Sequence, residues 1–452
     1  MKPLLINTYL FFVFCVLLAS CTDVCMNTQA GDSSQGTTSY DVSLSEINRI
    51  DFSQMVSPLT KSDSPLTKEI TPLVESADTL LYIINYGDSE GWVLVPADKR
   101  APQVIAMSET GHFDLGEVSS NKGLSAWLEN AKRNIASLKN NPNMVLDSTA
   151  WRSWGVSPQI MTKGGNDHEY EWLQLVYTAT SIDVYEEIPH LMETSWGQES
   201  PWNTAAPLTL NNGRCPLGCG ATAVAQVLYY HHYNSGKPQT SPSSASCSDY
   251  YNASPGPSLI LGNASPSTWN GMSRYANENG STGNQLVAAL LAEVAWGIDT
   301  QFTPSGSPST LADCRDYFQS KSFNCSVDYF NDPAIVLNVG WGRPVIVGLD
   351  STTNSGDHIA VIDGVCVYKY HYTYYYQWMP IGTYPPVEPE YPDMDHLELY
   401  EISDGWGAVH HYGYLVNWGF DGSYDNGIYT NMGFWYANGD IYEMAPILYN
   451  IY

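Results

Sequence analysis

Residues 218–226 read GCGATAVAQ, a run of small and apolar side chains that follows directly on Pro216-Leu217. A helix made of such residues offers no polar face, so it is expected buried, with small side chains that let neighbouring elements pack closely. The chain is long enough to enclose it. At 452 residues it exceeds one ordinary core, so a large domain plus a smaller one is expected. Hydrophobic residues make up 43% and charged residues only 15%, the balance of a folded chain rather than a disordered one.

The cysteine at the head of this helix has a particular electrostatic setting. Pro216-Leu217-Gly218 does not readily extend a helix backward, so Cys219 faces unpaired N–H groups and the positive end of the helix dipole, which favour thiolate. Cys215, one step back in the loop, lacks that setting. Taken alone, Cys219 suits a nucleophile and a small buried hydrophobe equally. After Cys21 the chain carries seven cysteines, an odd number that leaves at least one unpaired in a monomer. There is no CxxC pair and no His/Cys spacing suited to zinc, so neither metal nor cofactor is expected.

The N-terminus MKPLLINTYLFFVFCVLLASC joins a lysine to an apolar run from Tyr9 to Ala19, too short to span a bilayer, and ends in Leu18-Ala19-Ser20-Cys21. Residues 1–21 therefore read as a signal peptide, and the last four resemble a bacterial lipobox with Cys21 as the lipidated residue. The expectation is an exported chain of the bacterial cell envelope, anchored to a membrane through lipid on Cys21 or secreted after processing. The net charge of −28 excludes nucleic acid as a partner and works against docking on anionic lipid.

Residues 22–77, rich in Ser, Thr, Asp and Gly and carrying SPLTKSDSPLTK at 57–68, read as a flexible tether. From Leu80 two apolar runs, LLYIINY and GWVLVPAD, form a hairpin. In GLSAWLENAKRNIASL, residues Leu124, Trp127, Leu128, Ala131, Ile135 and Leu138 share one helical face. These make a small α+β unit. Residues 141–185 read as polar and irregular, with Lys163-Gly164-Gly165 open to proteolysis. Beyond Ile188 lie a second helical segment at 284–296 and strands at 343–350, 358–370 and 413–420, the pattern of an α+β domain with an antiparallel sheet. A Tyr/Pro/Glu-rich insertion at 371–410 is placed outside that core.

A thiol nucleophile needs a base, a group to orient the base, and oxyanion donors. His358 opens the strand HIAVIDG. Asn417, in Val-Asn-Trp-Gly, offers an amide to fix an imidazole tautomer, with Trp418 to shield it. Gln198, in Trp-Gly-Gln, offers an amide donor to join the Cys219 backbone N–H. His231 and His232 end the helix and complement its dipole. His410 and His411 are rival bases, of which strand geometry lets at most one face a cleft.

In their order, Trp196-Gly197-Gln198, Gly218 to Gln226, Gly342-Arg343-Pro344-Val345, His358 before Val361-Ile362-Asp363-Gly364, and Val416-Asn417-Trp418-Gly419 resemble the streptopain-like cysteine peptidases. Gly91 to Asp98, Arg100-Ala101-Pro102 and the Leu124–Leu128 helix are similar to the inhibitory propeptide of that family. The resemblance implies a papain-like fold made as a zymogen, with an inhibitory propeptide domain and activation linker at 78–165 and the peptidase domain at 166–452. It implies Cys219 as nucleophile, His358 as base, Asn417 orienting His358, Trp418 covering that pair and Gln198 donating to the oxyanion. It also implies protein or peptide substrates, and the chain's own propeptide as inhibitor until a cut near Lys163–Gly165. Three positions depart from the pattern: Gly220 for a bulkier Val, Ile359 for Ala after the histidine, and Phe420 for a second Trp. The same scaffold also serves cell-wall amidases and could serve a catalytically silent surface binding protein; the propeptide-like unit argues against the first and the four retained polar groups against the second.

Overall fold

The structure is a computed structural model. It describes residues 40–56, 67–141, 154, 172–209, 211, 213–234, 266–349, 358–379, 398–400, 411–430, 436–437, 440–441 and 446–452. The signal peptide with Cys21, the Lys163–Gly165 segment and His410 lie outside these residues. No helix among them is long and apolar enough to cross a membrane.

The first part of the chain runs α1 (Leu44–Asn48), β1 (Ile50–Asp51), α2 (Ser53–Val56), β2 (Lys68–Glu75), β3 (Asp78–Tyr86), β4 (Trp92–Pro96), β5 (Ala106–Ser108), α3 (Leu115–Ser120) and α4 (Lys122–Asn140). The expected hairpin is β3 and β4, antiparallel, and β2 adds to its other side. Helix α4 begins where Asn121 accepts the Leu124 N–H at 3.0 Å, a side-chain cap for an otherwise orphan donor. Of the residues the sequence periodicity marks, Leu124, Trp127, Leu128, Ile135 and Leu138 are buried and Ala131 is half-buried; Gly123 and Ala126, which it does not mark, are buried as well. Each of the large buried side chains contributes roughly 1.5–3 kcal/mol by burial. At its other end the enclosed Arg100, paired with Asp98, donates to the carbonyls of Leu138 (2.6 Å) and Asn141 (2.9 Å).

The second part runs β6 (Trp172–Ile188), α5 (Cys219–Asn234), α6 (Pro266–Gly271), α7 (Gly280–Gly297), α8 (Leu311–Ser320), β7 (Ser326–Tyr329), α9 (Asp332–Gly340), β8 (Val345–Leu349) and β9 (His358–Met379). It continues through β10 (Glu398–Tyr400), β11 (His411–Asn417), β12 (Ile428–Thr430), β13 (Tyr436–Ala437), β14 (Asp440–Ile441) and β15 (Pro446–Tyr449). Helix α5 is enclosed along nearly its whole length, packed against α7, α8 and β9. This is the α+β architecture expected, with helices gathered on an antiparallel sheet.

Both parts share one sheet. Among the described residues it holds 13 strands, with β2-β3-β4-β5-β12-β11-β9-β8-β15-β7 as its main path. The seam is β5 against β12, where Met107 faces Ile428 and Ala106 faces Tyr429. Two apolar clusters span the two parts, one joining Trp92 and Trp127 to Tyr414, Trp418 and Tyr429, the other joining Ile84 and Tyr86 to Cys366 and Tyr368.

Three expectations need correction. The tether at 22–77 is structured in its second half: Ile47, Phe52 and Met55 are buried against Tyr82, Ile84 and Tyr86, and β2 is a full strand. Residues 172–185, read as irregular, belong to β6. The insertion placed outside the core begins as the continuation of β9, which pairs with β6 from Trp172↔Met379 to Ile188↔Val365. A strand whose partner lies some 190 residues away leaves little trace in a local reading.

Candidate active site

Cys219 stands at the first position of α5. Gly218 before it has φ +95°, and a Cβ there would lie 2.3 Å from the Ser307 carbonyl, so only glycine permits this approach to the helix. The thiol is enclosed and takes the Ile359 N–H at 3.3 Å, which ties it to the first residues of β9. Burial pushes its pKa up; the N–H groups of Ile359, Gly220 and Cys219 and the charge of Lys122 oppose that. A thiol in this state is shielded from solvent, with backbone donors aimed at the sulfur.

His358 opens β9 beside it, 3% exposed. Its Nε2 donates to the Trp418 carbonyl at 3.0 Å and its ring stacks on Phe420 at 5.5 Å. Burial drives its pKa down to about 4; the Trp418 carbonyl works against this and Lys122 adds to it. The imidazole is therefore neutral. Among the described residues neither Cys219 nor Asn417 hydrogen-bonds to it in this state.

Helix α4 covers this histidine. A Cβ on Gly123 would lie 2.4 Å from His358 Nε2 and 2.9 Å from Trp418 Cε3, so the first turn of α4 rests directly on the histidine and the tryptophan. Two further contacts seat that turn. Asn121 donates to Ser423 O at 3.0 Å and Lys122 Nζ to Ser305 O at 2.6 Å, while Tyr424 anchors the preceding α3 through hydrogen bonds around Asp114 and Glu117.

Asn417 is held by a different set of partners. Its Nδ2 donates to Thr194 O at 2.7 Å, and its Oδ1 accepts from Gln226 Nε2 at 2.9 Å and from Gly419 N at 3.1 Å. Trp418 is wholly buried, its ring edge-on to Tyr429. Gln198 gives its backbone carbonyl to Leu217 N, while its side-chain Nε2 is buried without a hydrogen-bond partner. An unsatisfied buried donor is costly, and a site that holds one has an acceptor to receive.

The remaining candidates fall elsewhere. His231 packs on Phe323 and His232 stacks on Trp269, both at the far end of α5. His411 stacks on Tyr368 across β11 and β9, at the opposite end of β11 from Asn417. Cys215 is a buried free thiol in the loop before α5. Among the described residues no cluster of His, Cys, Asp or Glu suits a metal ion.

Two departures from the family pattern lie side by side. A Cβ on Gly220 would meet Ser309 Oγ at 2.2 Å and the Cδ1 atoms of Ile298 and Ile359 at 3.3 Å, so Ser309 comes nearest to the space a side chain at 220 would take, with both isoleucines behind it. Sequence reasoning missed Gln226, which sits two turns after Cys219 on the same helical face and pairs with Asn417; a lone amide in an apolar helix was the available signal. It also missed Gly123, which no side-chain motif marks.

A thiol at a helix N-terminus, a histidine at the head of a facing strand, and an Asn-Trp turn beside them define a papain-like cysteine peptidase. The family model described as Peptidase C10 family matches residues 196–429, and the chain belongs to that family. Residues 48–135 match the model described as Spi protease inhibitor, the unit whose helix α4 covers the histidine. Among similar proteins, the thiol protease/hemagglutinin PrtT of Porphyromonas gingivalis is 26% identical over 238 residues, 52% of this chain. The chain spans only 24% of that relative's length. Streptopain of Streptococcus pyogenes is 23% identical over 316 residues, covering 64% of this chain and 69% of streptopain. A solved fragment of Prevotella intermedia prointerpain A has the same fold, with a TM-score of 0.52 at 18% identity over 85% of this chain and 99% of the fragment.

Proposed function

We propose that the chain is the latent precursor of an exported cysteine endopeptidase. The observation that carries this is the seat of Gly123 on His358: the N-terminal unit covers the histidine, whose Nε2 is bonded to the Trp418 carbonyl. Once α4 leaves, His358 regains water, protonates more readily and is free to pair with Cys219, with Asn417 as the orienting amide. The Cys219 thiolate adds to the scissile carbonyl, and the oxyanion is held by the Cys219 N–H and the unpartnered Gln198 amide. The imidazolium gives its proton to the leaving amine, and water then hydrolyses the thioester, restoring thiol and releasing the acid.

Substrates are proteins or peptides. The segment around Lys163–Gly165 is the proposed activation site, and lipid on Cys21 the proposed anchor to the cell envelope. The inhibitor-like unit seated on the site favours this reading over an amidase or a silent binding protein, neither of which has a use for it. Purified wild-type and Cys219→Ala chains, incubated and followed by mass, provide the test. Wild type should shed its N-terminal unit and cleave added casein, and Cys219→Ala should do neither. Processing of the purified Cys219→Ala chain to the same products would refute the proposal.

A further inference from the structure

Behind the turn that carries Asn417 and Trp418 lie ionisable groups that the reaction above does not use. Asp425, enclosed, accepts the Trp418 N–H at 3.0 Å, so the backbone of this one residue is held on both sides: its N–H by Asp425 and its carbonyl by His358 in the closed state. His190, on the segment entering the domain, spans the gap to β9. Its Nδ1 lies 2.7 Å from Asp363 Oδ1 and its Nε2 lies 3.1 Å from the Asp425 carbonyl. Asp363 Oδ2 takes the Met192 N–H at 3.0 Å, as a carboxylate would. Both ring nitrogens therefore face acceptors, and only the doubly protonated ring can satisfy both.

We propose that His190, protonated between Asp363 and the Asp425 carbonyl, is a positioning residue that locks the turn carrying Asn417 and Trp418, and that loss of its proton loosens this turn. The inference rests on the peptidase reading for its catalytic consequence, but not for its structural one. The charged and titratable groups around the network are Asp363 on β9, Tyr230 on α5, Asp425, whose carboxyl burial pushes up to about 7, and Asp421, Tyr424 and Tyr429 on and after the turn. Asp421 receives Trp202 Nε1–H at 2.5 Å and backs Gly197, next to Gln198. Burial works to lower the pKa of His190, but the Asp363 hydrogen bond and charge outweigh it and the net shift is upward. A folded pKa above the unfolded one gives stability that is complete below the ordinary histidine value and lost as pH rises through the folded value.

The test uses the full chain with two readouts. In the Cys219→Ala background, which cannot process itself, the melting temperature is measured from pH 6 to 9 with and without His190→Gln. The stabilising advantage of His190 should be largest at pH 6 and shrink as pH rises; an advantage constant across the range overturns the proposal. For the processed enzyme, kcat should fall on the alkaline side with KM unchanged. The permanently charged His190→Arg should retain that activity to higher pH, whereas His190→Gln should be low, by about tenfold, at every pH. Identical alkaline limbs in wild type and His190→Arg would likewise overturn it. If wild type proves inactive as a peptidase, the proposed function fails, and the melting series still decides the role of His190.

Discussion

At the scale of residues, latency turns on an absent side chain. Gly123 lets α4 approach His358 so closely that a single methyl group has no room. Gly123→Ala gains roughly 1 kcal/mol of helix propensity, yet forcing a methyl into a packed site costs about 1–3 kcal/mol. The expected outcome is a faster self-processing chain at neutral pH, read from the rate of loss of the precursor band; a slower rate would mean that α4 grips without touching the histidine. The same scale shows what could be read from sequence. Cys219, His358, Asn417, Trp418 and Gln198 carry chemistry in their side chains and stand in ordered motifs, so they could be singled out. Gly123 has no side chain to notice. His190 and Asp363 acquire meaning only from each other, 173 residues apart.

At the scale of elements, α4 was the most legible part of the chain and β6 the least. The apolar stripe of α4 is a local property, repeated every three or four residues, and the observed helix buries that stripe. Strand β6 depends on β9, and β9 extends through residues that look like a polar insertion. The register of α4 is set from its far end, because Arg100 bonds its last carbonyls while neutralising Asp98. Replacing Arg100 by Ala leaves the buried Asp98 without its ion-pair partner and held by the backbone N–H of residue 100, at a cost of about 3–5 kcal/mol. Helix α4 should then fray from its C-terminus, seen as faster amide exchange at residues 134–140 in the Cys219→Ala chain. Exchange unchanged there would show that the helix is held by its apolar face alone.

At the scale of the whole molecule, inhibitor and peptidase share a sheet and two apolar clusters, so separation is a partial unfolding rather than the lifting of a lid. Acid should assist it. His358 in the closed chain has its pKa lowered from near 6.5 to about 4, so the closed form is favoured in full above 6.5 and loses that advantage as pH falls toward 4. Below pH 6.5 the open fraction should rise by up to about tenfold per unit. Initial rates of self-processing should therefore stay level from pH 7.5 to about 6.5 and climb from there to pH 5, and a profile flat throughout would assign the barrier to some other group. Opening also moves charge. In the closed chain the ammonium of Lys122 lies within reach of both Cys219 and His358, favouring thiolate and disfavouring imidazolium. When α4 departs that cation goes with it, and the freed histidine becomes able to take up a proton in its place. Under the proposed mechanism the sulfur thus exchanges a borrowed positive neighbour for a resident one.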